Sequence, residues 1–142
     1  WIPIFYAVAM GVDALAALLA GGLYDRNGVA ILAISVLVSA MFAPLVFLGG
    51  FHLAMLGAAL WGLGMGAQES VMRAAIADMV PASRRGSAYG IFNAAYGLFW
   101  FLGSAVMGFL YDTSLLALIG FSVGMQLIAV PLLIGTLIYD RK

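Results

Sequence analysis

Five apolar stretches, each long enough to cross a bilayer, follow one another with hardly any sequence between them. They run over approximately residues 1–23, 29–49, 51–80, 86–111 and 115–139. Crossing about 30 Å of hydrocarbon takes about 20 apolar residues in helical conformation. Inside lipid the backbone polar groups must find partners within their own segment, so each stretch is predicted to be an α-helix. The composition agrees. Of 142 residues, 65% are hydrophobic and 8% charged, against roughly 25% charged in a soluble domain. So few charges cannot cover the surface that a chain this small leaves outside its core, and most of that surface must face lipid. The expected fold is all-α: a polytopic membrane helix bundle with five transmembrane helices, forming one domain over residues 1–142.

The connections are short and rich in turn formers: residues 25–28, Gly49-Gly50, residues 81–83 and residues 112–114. Helices joined this tightly are antiparallel neighbours. The formal net charge is zero, which points away from a nucleic-acid partner. There is no cysteine and one histidine, His52, so neither thiolate nor histidine metal sites are expected, and no cofactor. The basic start and short apolar core of a signal peptide are not present at Trp1. A chain that opens inside an apolar run is expected to be a fragment of a longer protein.

The basic residues set a direction. Arg26, Arg84, Arg85, Arg141 and Lys142 lie in the first connection, the third connection and the C-terminal tail, and Arg73 is near the same end of the third stretch. The second and fourth connections carry no Lys or Arg. By the positive-inside rule the basic ends are cytoplasmic. The C-terminus is then expected inside and Trp1 outside.

Polar residues are unevenly shared among the five stretches. The second has no ionisable residue, Asn or Gln, and the fifth has only Gln126 in its interior. These two read as lipid-facing. The others carry Asp13, then Gln68, Glu69 and Arg73, then Asn93 with Tyr89, Tyr96 and Trp100 at helical spacing. A charge at the bilayer centre costs about 3 kcal/mol on insertion scales, so such residues face helices, water or a solute. Glu69 and Arg73 are four apart and meet on one helix face. They either neutralise each other or serve a site. Asp13 has no basic residue within a turn. It is either a buried carboxyl or a proton or cation site. The aromatic stripe around Asn93 suits plain packing or a substrate cavity. Glycines crowd the third stretch (Gly57, Gly62, Gly64, Gly66) and the fourth (Gly86, Gly90, Gly97, Gly103, Gly108). Tight helix packing is the plainest reason for each.

Two connections carry more than turn chemistry. The first reads Gly21-Gly22-Leu23-Tyr24-Asp25-Arg26-Asn27-Gly28, in which Asp25 ends a helix and Gly28 takes a turn with positive φ. It resembles the G-x-L-x-D-R-x-G signature of the major facilitator superfamily. The third runs from Asp78 through Pro81, Arg84, Arg85 and Gly86 to Gly90, and resembles the D-x-x-P-x-x-x-R-G-x-A-x-G pattern of the same superfamily. The pattern G-x-L-Y-D recurs at Gly108–Asp112. It falls where a half built of two inverted three-helix repeats would place it. Where the family's first motif continues with two basic residues, Val29 and Ala30 stand here.

The resemblance covers essentially the whole chain. It implies a partial half of a carrier, helices eight to twelve of twelve, that is, a 3+3 inverted repeat lacking its first helix. It implies a secondary transporter that moves a small solute by alternating access, coupled to protons or another ion, in the plasma membrane. The expected partners are membrane lipid, a small-molecule substrate and the missing N-terminal half of the same protein. Asp13 and Glu69 are the coupling candidates. Gln68, Arg73, Asn93, Tyr96 and Trp100 are the substrate-cavity candidates. Gly21, Asp25, Arg26, Gly28, Asp78, Arg84 and Arg85 form the cytoplasmic gating motif. A scaffold or channel-like bundle would explain the glycines but not the paired signatures. Gly120–Gly124 matches the G-x-S-x-G of hydrolases, but Ser122 falls mid-helix, where that motif does not work. No enzymatic activity is expected.

Overall fold

The computed structural model describes residues 1–28 and 30–139, with side chains through Gly135. Among the described residues there is no strand. The helices are α1 (Ile2–Asn27), α2 (Ala30–Ser39), α3 (Phe42–Leu48), α4 (Phe51–Met79), α5 (Arg85–Thr113) and α6 (Leu115–Tyr139), with a short 3₁₀ turn at Ala82–Arg84. Pro3 sits in the first turn of α1, where its missing N–H leaves no gap. At the other end α1 runs past Asp25, which the sequence had placed at its end, to Asn27. There the Gly28 N–H bonds the Tyr24 carbonyl at 2.7 Å, and Gly28 takes φ +57° and ψ −145°, a region closed to residues with a Cβ.

The second predicted stretch is two helices, not one. Pro44 has no N–H for the Ala40 carbonyl, and its ring crowds that oxygen. α2 therefore stops at Ser39, and α3 restarts with Pro44 in its first turn. Taken across this break, residues 30–48 still qualify as a crossing, as do α1, the segment Ala82–Thr113 and Leu115–Gly135. Those are four segments long and apolar enough to span, where five were expected. α4 is the exception. At 29 residues it measures about 44 Å, ample for a bilayer, but its glycines and its polar run from Gln68 to Arg73 lower its apolarity. It can carry them because much of its surface faces other helices.

α4 is the hub, and it meets α1, α2 and α3 through different glycine faces. Gly62 lies under the Ala9 carbonyl and Gly66 under the Asp13 carbonyl, with the Ala17 nitrogen beside it, while Ser70 Oγ comes to 3.3 Å of where a Cβ on Gly21 would stand. Both helices thus present a row at four-residue spacing, Ala9, Asp13, Ala17 and Gly21 against Gly62, Gly66 and Ser70, and the rows interdigitate. Gly64 faces Ser39 of α2, and Gly57 faces Phe42, Leu45 and Val46 of α3. Fully buried Val71 packs with Ala20, Leu32 and Ala67 into one core cluster. Ala43, Leu118 and Ile119 form a second, joining α3 to α6.

Two sequence expectations change here. α2, read as lipid-facing, buries Leu32, Ala33, Ser35 and Ser39, because Gly64 lets it lie close on α4. α5 has no buried residue, and its five glycines have nothing within 4 Å of a Cβ position. Tight packing therefore explains the glycines of α4 but not those of α5.

Candidate functional site

α4 and α5 run side by side with a polar cavity of about 190 Å³ between them, lined by Gln68, Glu69, Met72, Arg73, Phe92, Asn93 and Tyr96. Four of the five cavity candidates and one coupling candidate are thus brought together. Helical spacing does this locally: Gln68, Glu69, Met72 and Arg73 follow one side of α4 at steps of three and four, as Phe92, Asn93 and Tyr96 do on α5. Trp100 lies one turn beyond, its ring 5.7 Å from that of Tyr96, which in turn stacks on Phe92 at 5.9 Å.

The charged centre of this cavity is the Glu69–Arg73 pair, 3.5 Å apart. The Arg73 side chain is 69% exposed and that of Glu69 43%, so the guanidinium is the more open of the two. A guanidinium has five N–H donors, and one long contact to Glu69 leaves most of them for another anion. The Tyr89 hydroxyl donates to the Arg73 carbonyl at 2.9 Å, tying α5 to α4 beside the pair.

Asp13 stands apart. It is on the α1 row that meets Gly66, and its Oδ1 is buried with no hydrogen-bond partner among the described residues. It lines neither this cavity nor the one next to it.

A second cavity, of about 310 Å³, adjoins the first through Gln68. It is lined from α2 by Val36 and Ser39, from α4 by Trp61, Gly64, Met65 and Gln68, from α5 by Trp100, and from α6 by Met125, Gln126 and Ala129. Ser39 Oγ donates to Gln126 Oε1 at 3.0 Å, the Val36 carbonyl at 3.2 Å being its alternative acceptor. Sequence reasoning passed over this pair, because a serine in an apolar run is a weak signal. Ser35 and Ser39, four apart on α2, were the trace it left. Ser122 borders a further cavity with Trp61, Trp100 and Gln126. His52 is exposed at the start of α4, in ring contact with Phe51, and no base stands beside Ser122 in that cavity.

At the basic end, the first and third connections meet. The Tyr24 hydroxyl donates to Asp78 Oδ2 at 3.0 Å across 54 residues of sequence. Arg85 folds back on the last turn of α4, its Nη2 donating to the Ala77 carbonyl at 2.8 Å and its Nε to the Val80 carbonyl at 3.3 Å. This satisfies carbonyls that a helix end leaves bare and sets a cation at the negative end of the dipole. Asp25, Arg26 and Arg84 are exposed, and no ion pair joins them to Asp78 or Arg85 among the described residues. Gly21 takes part through its packing on Ser70 and Gly28 through its positive φ. Arg141 and Lys142 lie outside the described residues. Tyr24, which sequence reasoning left out of the motif, makes the link between the two signatures.

A family model described as Major Facilitator Superfamily matches residues 1–141. Among curated proteins, the chain is 37% identical over 132 residues to an uncharacterized protein of Mycobacterium bovis and, to the same extent, to uncharacterized proteins of two Mycobacterium tuberculosis strains. Each match covers 93% of this chain and 32% of the relative, so the chain spans about a third of the length of these relatives. No solved structure matches.

Proposed function

The chain belongs to the major facilitator superfamily, and from that premise we propose that it serves as one part of a secondary transporter moving a small solute by alternating access. The observation that carries this reading is the cavity between α4 and α5, where Gln68, Glu69, Arg73, Asn93 and Tyr96 converge. The remaining sequence of a full-length carrier, of which the relatives are about three times as long, supplies the opposite wall. With the basic end cytoplasmic, the protein sits in the plasma membrane with Trp1 on the outer side.

The chemistry follows from the pair. Arg73 binds an anionic group of the solute with its unused donors, and Asn93 adds a neutral amide. Glu69 then loses its partner. Glu69, released from the pair, is the group assigned to couple solute binding to proton or ion movement. Asp13, whose Oδ1 is buried without a hydrogen-bond partner among the described residues where α1 crosses α4, is the second coupling candidate. The link between Tyr24 and Asp78 joins the two cytoplasmic connections in one state of the rocking halves and opens in the other.

The test uses the full-length protein in liposomes with a trapped pH-sensitive dye, an imposed proton gradient and a panel of small carboxylates outside. Solute-dependent proton entry is expected, and Glu69→Gln and Asp13→Asn are each expected to lose it while solute exchange at zero gradient persists. If both variants drive uptake like the parent, the coupling assignment is wrong. Currents far above carrier rates would favour a channel.

A further inference from the structure

The two adjoining cavities differ in chemistry. The first holds the ion pair. The second is larger and its lining contains no ionisable side chain. A site with no countercharge inside a membrane bundle does not offset the cost of bringing in an ion, yet this one offers hydrogen bonds from Gln68 and Gln126. Its volume of about 310 Å³ falls within the small-molecule range of about 300–1,000 Å³.

The hydrogen-bonding groups are not equivalent. Ser39 occupies the carbonyl oxygen of Gln126, which turns the Gln126 amide nitrogen into the group left to donate. The amide of Gln68 can accept as well as donate. A donor on one wall and an acceptor on another complement a planar amide, which itself offers one of each. Trp61 and Trp100 supply flat apolar walls for the body that carries such a group. The arrangement depends on Gly64: a Cβ there would stand 2.7 Å from Ser39 Oγ and 2.6 Å from its Cβ, pushing Ser39 off Gln126.

Gln68 lines both cavities, and the run Phe92, Tyr96 and Trp100 forms a continuous aromatic wall from one to the other. We infer that the substrate has two chemically distinct ends, an anionic group held at Arg73 and a neutral, planar, amide-bearing body held between Trp61, Trp100, Gln68 and Gln126. The anionic end rests on the transport reading given above; the neutral end rests on the second cavity alone.

Two probes separate the ends: benzamide, a neutral planar amide, and hippurate, the same benzamide unit extended by a carboxylate. Equilibrium binding of each radiolabelled probe is measured on the full-length protein in lipid nanodiscs. Hippurate is expected to bind about tenfold tighter than benzamide, the worth of one charge-assisted hydrogen bond. Arg73→Gln should erase that advantage and leave benzamide unchanged. Gln126→Leu should weaken both probes about tenfold. Ala129→Phe, which fills the cavity while keeping every hydrogen bond in place, should abolish both and guards against a Gln126→Leu variant that misfolds. If neither probe binds the parent protein, or if both bind Ala129→Phe as they bind the parent, the neutral site is overturned. If Ala129→Phe abolishes binding but Arg73→Gln leaves hippurate untouched, the anionic end fails, and with it the two-ended substrate.

Discussion

α4 and α5 are both 29 residues long, both glycine-rich and adjacent in the chain, yet their glycines do opposite things. On α4, Gly57, Gly62, Gly64 and Gly66 are buried, each under another helix. On α5, Gly86, Gly90, Gly97 and Gly108, together with Asn93 and Ser104, fall on one face by helical spacing, and all are exposed. The first set is a contact already made. The second is a smooth face left available, with a single amide on it. Composition alone does not separate a helix that holds a bundle together from one that lends it a surface; what separates them is whether another helix of this chain lies against it.

The largest effect is expected where the contact is closest. A Cβ at Gly66 would fall on the Asp13 carbonyl and the Ala17 nitrogen. Both are backbone, so no side chain can swing aside and α1 must retreat from α4. Gly66→Ala should destabilise the bundle by about 3 kcal/mol, the upper range for overpacking, whereas Gly97→Ala should stay within about 0.5 kcal/mol, as at an open surface. Denaturant unfolding in lipid bicelles reads both. Equal costs would erase the distinction between the two helices.

The open face allows a second contrast, in function rather than stability. A Cβ at Gly97 meets nothing within 4 Å, so Gly97→Leu adds bulk on the face that carries Asn93. It should leave abundance and unfolding unchanged and lower solute-dependent proton entry about tenfold, which corresponds to about 1.4 kcal/mol. A variant that unfolds instead would show that the face is packed after all.

Much of this was legible in the sequence. Long apolar runs placed α1, α4, α5 and α6 to within a few residues, because lipid leaves the backbone one solution. Arg73 and Glu69 were legible as a pair because helical spacing is local, and Asn93 joined them because α4 and α5 are consecutive antiparallel helices. What escaped was of two kinds. The break at Ala40 needed Pro44 to be weighed against the apolar run around it. Ser39–Gln126 and Tyr24–Asp78 join residues 87 and 54 apart, and no periodicity reports which helices lie side by side. The small exposed face of α5 was misread for the same reason: glycine spacing says that something can come close, not what does.

A third prediction concerns how α4 ends. Its last turn is held by Arg85 from the first turn of α5, through two carbonyls, so the two helices share one cap. Arg85→Ala should cost about 1 kcal/mol, read as a lower unfolding midpoint in bicelles, and Arg84→Ala, whose side chain caps nothing among the described residues, should cost less than half of that. The reverse order would mean that the paired arginines serve topology alone.

The smallest effect tests the meeting of the two signatures. Tyr24→Phe deletes the hydroxyl that reaches Asp78 and keeps the ring, which packs against the cluster of Ala20, Leu32, Ala67 and Val71. Because the bond is exposed, its loss should cost about 0.5 kcal/mol of stability. A bond that survives in every state of the carrier would change nothing else. A bond that forms in only one state shifts the balance between states by its whole free energy, about twofold in population. Tyr24→Phe and Asp78→Ala, which removes the acceptor, should then change the ratio of inward to outward accessibility by the same factor, measured by cysteine labelling at introduced sites on the two faces, and the double variant should add nothing further. Asp25→Asn, exposed and outside this bond, lowers transport through a separate contact if it acts as a latch, so its effect should add to that of Tyr24→Phe. Full additivity between Tyr24→Phe and Asp78→Ala would instead show that the two residues touch without acting together.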